Sequence, residues 1–151
     1  MNKSSRLDAF RAASRKYSDT SILMHEAISR KAGLSGTDHK YLGILMEKGP
    51  MTAGELSQLT GLTGGAITGL IDRLEKKKLA KREFDKEDRR KVFIVANEAT
   101  SMKLLTPLFK DLQQKTAKLL ASYADAELEI IKKYMQEATA VMNEVLENFK
   151  K

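Results

Sequence analysis

The chain has 151 residues, a formal net charge of +7 and no cysteine. The length fits a single domain, and the missing thiols exclude a disulfide framework, a cysteine-type zinc site, a thiol nucleophile and a thiol redox switch. Hydrophobic residues make up 42% and charged residues 31%, the balance of a folded chain. Its longest apolar run, Val92 to Ala96, is far too short to span a membrane.

Met1 to Phe10 is polar and lacks the apolar core of a secretory signal, which points to the cytoplasm. From Ser5 to about Lys31 neither Pro nor Gly interrupts the chain, and Leu7, Phe10, Tyr17, Met24 and Ile28 recur at helical spacing, predicting one long helix ended by Gly33. Thr37 offers a cap for a second, short helix carrying Leu42, Leu45 and Met46, which Gly49-Pro50 terminates. Thr52 with Glu55 three residues on is a capping-box pattern and opens a helix of about eight residues. That helix ends at Thr60-Gly61, and Thr63 caps the next, which carries Ile67, Leu70, Ile71 and Leu74. Two short helices joined by a glycine-containing turn outline a helix-turn-helix.

Past Leu79 the period changes. Ala80 to Phe84 and Lys91 to Val95 flank the polar connection Asp85 to Arg90, predicting a β-hairpin wing. Asn97 caps a further helix to about Ala121, which Pro107 is expected to bend. Asp125 is expected to cap the last helix, where Leu128, Ile131, Met135, Ala138, Met142, Val145 and Phe149 follow a 3-4-3-4 spacing. Such a seam suits a second helix, and either another chain or this chain's own first helix can supply it.

The excess positive charge favours an anionic partner, nucleic acid or a phospholipid surface. It is concentrated between Asp72 and Lys91, where ten basic residues face six acidic ones. A helix-turn-helix lays its second helix in the DNA major groove, with exposed N–H groups at the helix N-terminus near phosphate. Gly64 and Gly65 stand there, and Thr63 and Thr68 supply hydroxyls. Lys86, Arg89 and Arg90 occupy a hairpin tip narrow enough for a minor groove, and Asp88 or Asp72 offers a carboxylate to hold one of those arginines. His25 and His39 stand apart in sequence and read as ordinary helix-surface or core residues. No enzymatic activity, cofactor or metal is expected.

From Leu34 to Asn97 the order helix, Gly-Pro, Thr-x-x-Glu-Leu, Gly-Leu-Thr, AITGLIDRLEKKKLAKR and DKEDRRKVFIV resembles the MarR family of winged-helix transcriptional regulators. The resemblance implies a mainly α fold with a small β-hairpin wing and long terminal dimerisation helices. It further implies a cytoplasmic homodimer on double-stranded DNA at a pseudopalindromic operator, acting as a repressor. Residues 1–151 then form one domain, with a winged helix-turn-helix lobe at 34–97 and a helical dimerisation lobe from 1–33 and 98–151. The DNA-facing set is Thr52, Thr63, Gly64, Gly65, Ala66, Thr68, Gly69, Arg73, Lys86, Arg89 and Arg90. The dimer set is Leu7, Phe10, Leu128, Ile131, Met135, Ala138, Met142, Val145 and Phe149. Family members often release DNA when a small molecule binds between the two lobes, but the sequence names no such effector. Three positions depart from the family pattern: Gly69 where a basic residue is frequent, Lys78 where a helix-ending glycine is common, and Ala96-Asn97 where Leu-Thr is usual. The competing reading is a helical adaptor that does not bind DNA and uses its C-terminal seam on another protein.

Overall fold

The computed structural model describes residues 3–149. Its elements in chain order are α1 (Lys3–Lys31), α2 (Gly36–Lys48), β1 (Met51–Thr52), α3 (Ala53–Thr60), α4 (Gly64–Lys76), β2 (Ala80–Phe84), β3 (Val92–Ala96), α5 (Glu98–Leu120) and α6 (Asp125–Phe149). The mainly helical architecture with a hairpin wing is the one the sequence predicts. The chain divides into two compact units, one up to Phe109 and one from Lys110 onward. Residues 34–97 share the first unit with α1 and the start of α5.

The first unit owes its core to short apolar stripes on several elements. Leu42 and Leu45 of α2, Leu56 of α3, Ile67, Leu70, Ile71 and Leu74 of α4, Leu79 in the turn before β2, and Ile94 of β3 are almost wholly buried together. On α4 the four buried residues follow the i, i+3, i+4, i+7 rule, so one face is sealed and the other is left to solvent.

Local details differ from the sequence expectation in four places. The cap of α2 is Ser35, whose hydroxyl accepts from the Asp38 amide at 3.0 Å, and not Thr37. Asp125 is the first residue inside α6, because Glu127 reaches back to the Ala124 amide at 2.8 Å and takes over the capping. The second wing strand begins at Val92, since the Lys91 amide is spent on the Asp88 carbonyl inside the turn. Last, the wing is three-stranded: β1 adds to the hairpin in the order β1-β3-β2, with Met51 opposite Ile94 and Thr52 opposite Phe93.

Helix α4 ends in a Schellman arrangement, with the Leu79 amide on the Leu74 carbonyl and the Lys78 amide on the Glu75 carbonyl. This geometry forces a left-handed residue at Lys78, φ 58°, the one non-glycine with positive φ among the described residues. Relief of that strain outweighs the added freedom of the unfolded chain, so Lys78→Gly is expected to stabilise the fold by about 0.5–1 kcal/mol. Urea unfolding measures it, and a less stable variant would contradict the strain.

In the second unit, α6 has no buried residue. Ile130, Ile131, Met135, Val141, Met142, Val145 and Phe149 are all exposed along its length.

Candidate nucleic-acid interface

The helix-turn-helix is built by local capping. Thr52 and Glu55 form the complete box: the Thr52 amide and hydroxyl donate to Glu55 Oε2 at 2.7 and 2.8 Å, and the Glu55 amide donates to the Thr52 hydroxyl at 3.2 Å. These bonds hold the Glu55 carboxyl below its ordinary pKa, the backbone amide of Thr52 first among them. Gly61, in the left-handed region at φ 72°, turns the chain out of α3, and the Thr63 hydroxyl then accepts from the Ala66 amide at 3.3 Å to start α4.

The exposed leading end of α4 presents Gly64, Gly65, Ala66 and Thr68. A Cβ on Gly64 or Gly65 would meet nothing within 4 Å, so nothing in the protein's own packing requires glycine there. The Thr68 hydroxyl donates to the Gly64 carbonyl at 3.0 Å, which leaves its methyl and oxygen lone pairs on the outer surface. The Thr52 hydroxyl is fully engaged in its capping box.

Ion pairs then join this helix to its surroundings. Arg73 donates from Nε and Nη2 to both oxygens of Asp38 on α2, at 2.9 and 2.7 Å, which raises the guanidinium pKa above its ordinary value. Arg82 on β2 reaches Asp72 at 2.7 Å and also pairs with Glu75, whose other oxygen accepts from the Arg82 amide at 2.9 Å. The wing strand is thereby tied to α4. Of the two carboxylates offered to a wing-tip arginine, Asp88 takes the role: Arg90 Nε lies 3.0 Å from it, while Asp72 serves Arg82. The tip itself is folded around Asp85, whose carboxylate accepts the amides of Glu87 and Asp88, both at 2.8 Å. Lys86, Arg89 and Arg90 are exposed around it.

The pattern of residues i to i+3 made the caps legible, but Asp38 and Arg82 gave no local signal. Asp38 is joined to its partner only by the tertiary fold. The two histidines, read as isolated, also meet: their ring centroids are 6.0 Å apart and each is 5.7 Å from Phe109. They line a cavity of about 740 Å³ with Ile22, Thr37 and Lys40, within the size range of small-molecule sites, roughly 300–1,000 Å³. No group of three or more metal-ligating side chains occurs among the described residues.

Burial, and then the neighbouring His25, hold His39 below its ordinary pKa. With a depressed folded-state value, the unfolded chain binds the proton first as pH falls below about 6.5. The stability present at neutral pH is then lost as pH drops through the folded-state value. Thermal melting is therefore expected to show a lower Tm at about pH 5 than at about pH 7.5. His39→Gln should shrink that difference; an undiminished one would remove His39 from the account.

A capped helix pair backed by an antiparallel wing, with a sealed inner face and an open leading end on the second helix, defines a winged helix-turn-helix of the DNA-binding class. Residues 32–91 match the MarR family. The uncharacterised HTH-type transcriptional regulator YcgE of Bacillus subtilis (strain 168) is 44% identical over 136 residues, covering 90% of this chain and 88% of YcgE. The HTH-type transcriptional regulator MhqR of the same organism is 29% identical over 124 residues, covering 82% of this chain and 84% of MhqR. Among solved structures, a MarR family protein from Bacillus stearothermophilus has the same fold, with a TM-score of 0.72 at 24% identity over 95% of this chain and 99% of that one. The chain belongs to the MarR family of transcriptional regulators. No helix among the described residues is long and apolar enough to cross a membrane.

Proposed function

We propose that the chain is a cytoplasmic repressor that binds a pseudopalindromic operator as a homodimer. The observation that carries this reading is the leading end of α4. Two glycines stand in an exposed first turn where they weaken the helix and serve no packing contact. Close approach of another backbone, such as a phosphodiester chain, accounts for them. In this reading Thr63, Gly64, Gly65, Ala66, Thr68 and Gly69 face the major groove, with Thr52 at the edge. Lys86, Arg89 and Arg90 on each wing reach a minor groove.

So few long side chains on α4 leave little bidentate readout of guanine, which favours an A·T-rich operator read partly through groove shape. One lobe covers too few base pairs for specificity, so two copies related by a two-fold axis are needed. The apolar seam of α6, from Leu128 to Phe149, is proposed to join them, and so, on the other unit, are Leu7 and Phe10 of α1. The cavity beside His25, His39 and Phe109 is the place proposed for an effector, and it touches the first turn of α2.

The test is a salt titration of duplex binding. Phosphate contacts release counterions, so log K should fall linearly with log salt. An adaptor protein would show no such slope, and its absence would overturn the reading.

A further inference from the structure

Arg73 belongs by position to the set expected on DNA, yet its guanidinium is turned onto the protein. Asp38, which receives it, is only 3% exposed, whereas the Arg73 side chain is 54% exposed. The carboxylate sits in the first turn of α2, where the helix dipole favours negative charge. The other edge of the guanidinium lies back along α4, since a Cβ on Gly69 would stand 3.3 Å from Arg73 Nη1. Helical side chains lean toward the N-terminus in this way, and Gly69 leaves room for this one.

Stability alone does not explain a buried carboxylate paired with arginine, because apolar residues of similar volume serve a core as well or better. What a planar, two-point pairing adds is geometry. We propose that Asp38 and Arg73 are positioning residues for DNA recognition, a clamp that fixes the roll of α4 against α2 and so the direction in which Gly64, Gly65 and Thr68 face the duplex. The proposal rests on the operator-binding reading above. It gives Arg73 a role exerted through Asp38, with no phosphate contact of its own.

The test uses the full-length protein and its Arg73→Lys, Asp38→Asn and doubly substituted forms. Each is titrated with salt against a duplex selected by the wild type from a randomised pool, and against a scrambled duplex of equal length. Lysine keeps the charge that a phosphate would need and cannot make the two-point clamp. Arg73→Lys is therefore expected to lower the ratio of selected to scrambled affinity by about tenfold or more, with scrambled binding and the salt slope as in wild type. Asp38→Asn should do the same, and the double variant should be no worse than the worse single one. Thermal melting reports whether each variant is folded at the assay temperature. Where Asp38→Asn is not, Arg73→Lys decides alone. An unchanged ratio in Arg73→Lys, or losses that add in the double variant, overturns the clamp. Equal weakening on both duplexes also overturns it, showing a contact that serves only the fold. A wild type that selects no duplex overturns the operator reading itself, before any variant is compared.

Discussion

Cutting the chain after Ala124 is expected to abolish dimerisation and, with it, measurable binding to a two-half-site operator. No side chain of helix α6 is fully buried. Phe149 is 81% exposed, and Ile131, Met135, Met142 and Val145 all keep substantial exposure. Burying a side chain of this kind is worth about 1.5–3 kcal/mol. Scaled by the exposure each still has to lose, five of them on each of two copies supply on the order of 8–16 kcal/mol. Association costs about 4–15 kcal/mol in lost freedom, an amount the two seams together match, so the proposed dimer depends on α6. Sedimentation of the truncated protein measures the outcome. A soluble dimer would show that the seam is not the interface, and a monomer binding the operator as tightly as the full chain would sink the need for two-fold symmetry.

The second large effect is expected at the wing. The Arg90 side chain is 91% exposed and, among the described residues, its hydrogen bonds go to Asp88, from Nε and Nη2 at 3.0 and 3.3 Å. An exposed pair of this kind adds little to folding, so Arg90→Ala should leave the Tm within about 2 °C of wild type. Its operator affinity should fall by about 1–3 kcal/mol, or roughly 5- to 150-fold, the range for one specific contact. Fluorescence anisotropy with the selected duplex, beside a melting curve, separates the two effects. Parallel losses in both would make Arg90 a structural residue of the wing turn. In the operator-binding reading, Asp88 holds the guanidinium in one orientation ahead of binding. The bond from Arg90 keeps the Asp88 carboxyl below its ordinary pKa, so it stays charged throughout the neutral range.

What the sequence made legible was local. The Thr52–Glu55 box, the Thr63 cap, the Asn97 cap and the glycine turn at Gly61 each require residues within four positions of one another, and each is found. The two misplaced caps were errors of choice between neighbours: Ser35 and Thr37 both carry hydroxyls, and Asp125 lies beside an alanine whose amide is satisfied from Glu127. Strand β1 is only two residues long and exists because β3, some forty positions later, lends it a partner. No periodicity can announce a strand of that length. The Asp38–Arg73 and Asp72–Arg82–Glu75 pairings, and the meeting of His25 with His39, are tertiary in the same sense. A charged or titratable residue on a helix looks like solvated surface until the fold brings its partner.

One residue joins the wing to the helix pair. Thr52 is at once the last residue of β1, in register opposite Phe93 of β3, and the N-cap of α3. Arg82 adds a second stitch between the same sheet and α4. Wing and helix pair are thus linked at two points, through α3 and through α4. Adding one base pair between half-sites turns the second by about 34–36° and shifts it by about 3.4 Å. Two links between wing and helix pair oppose their taking up that change separately. In the homodimer proposed above, the tolerance for operator spacing then falls to the joint between the two copies.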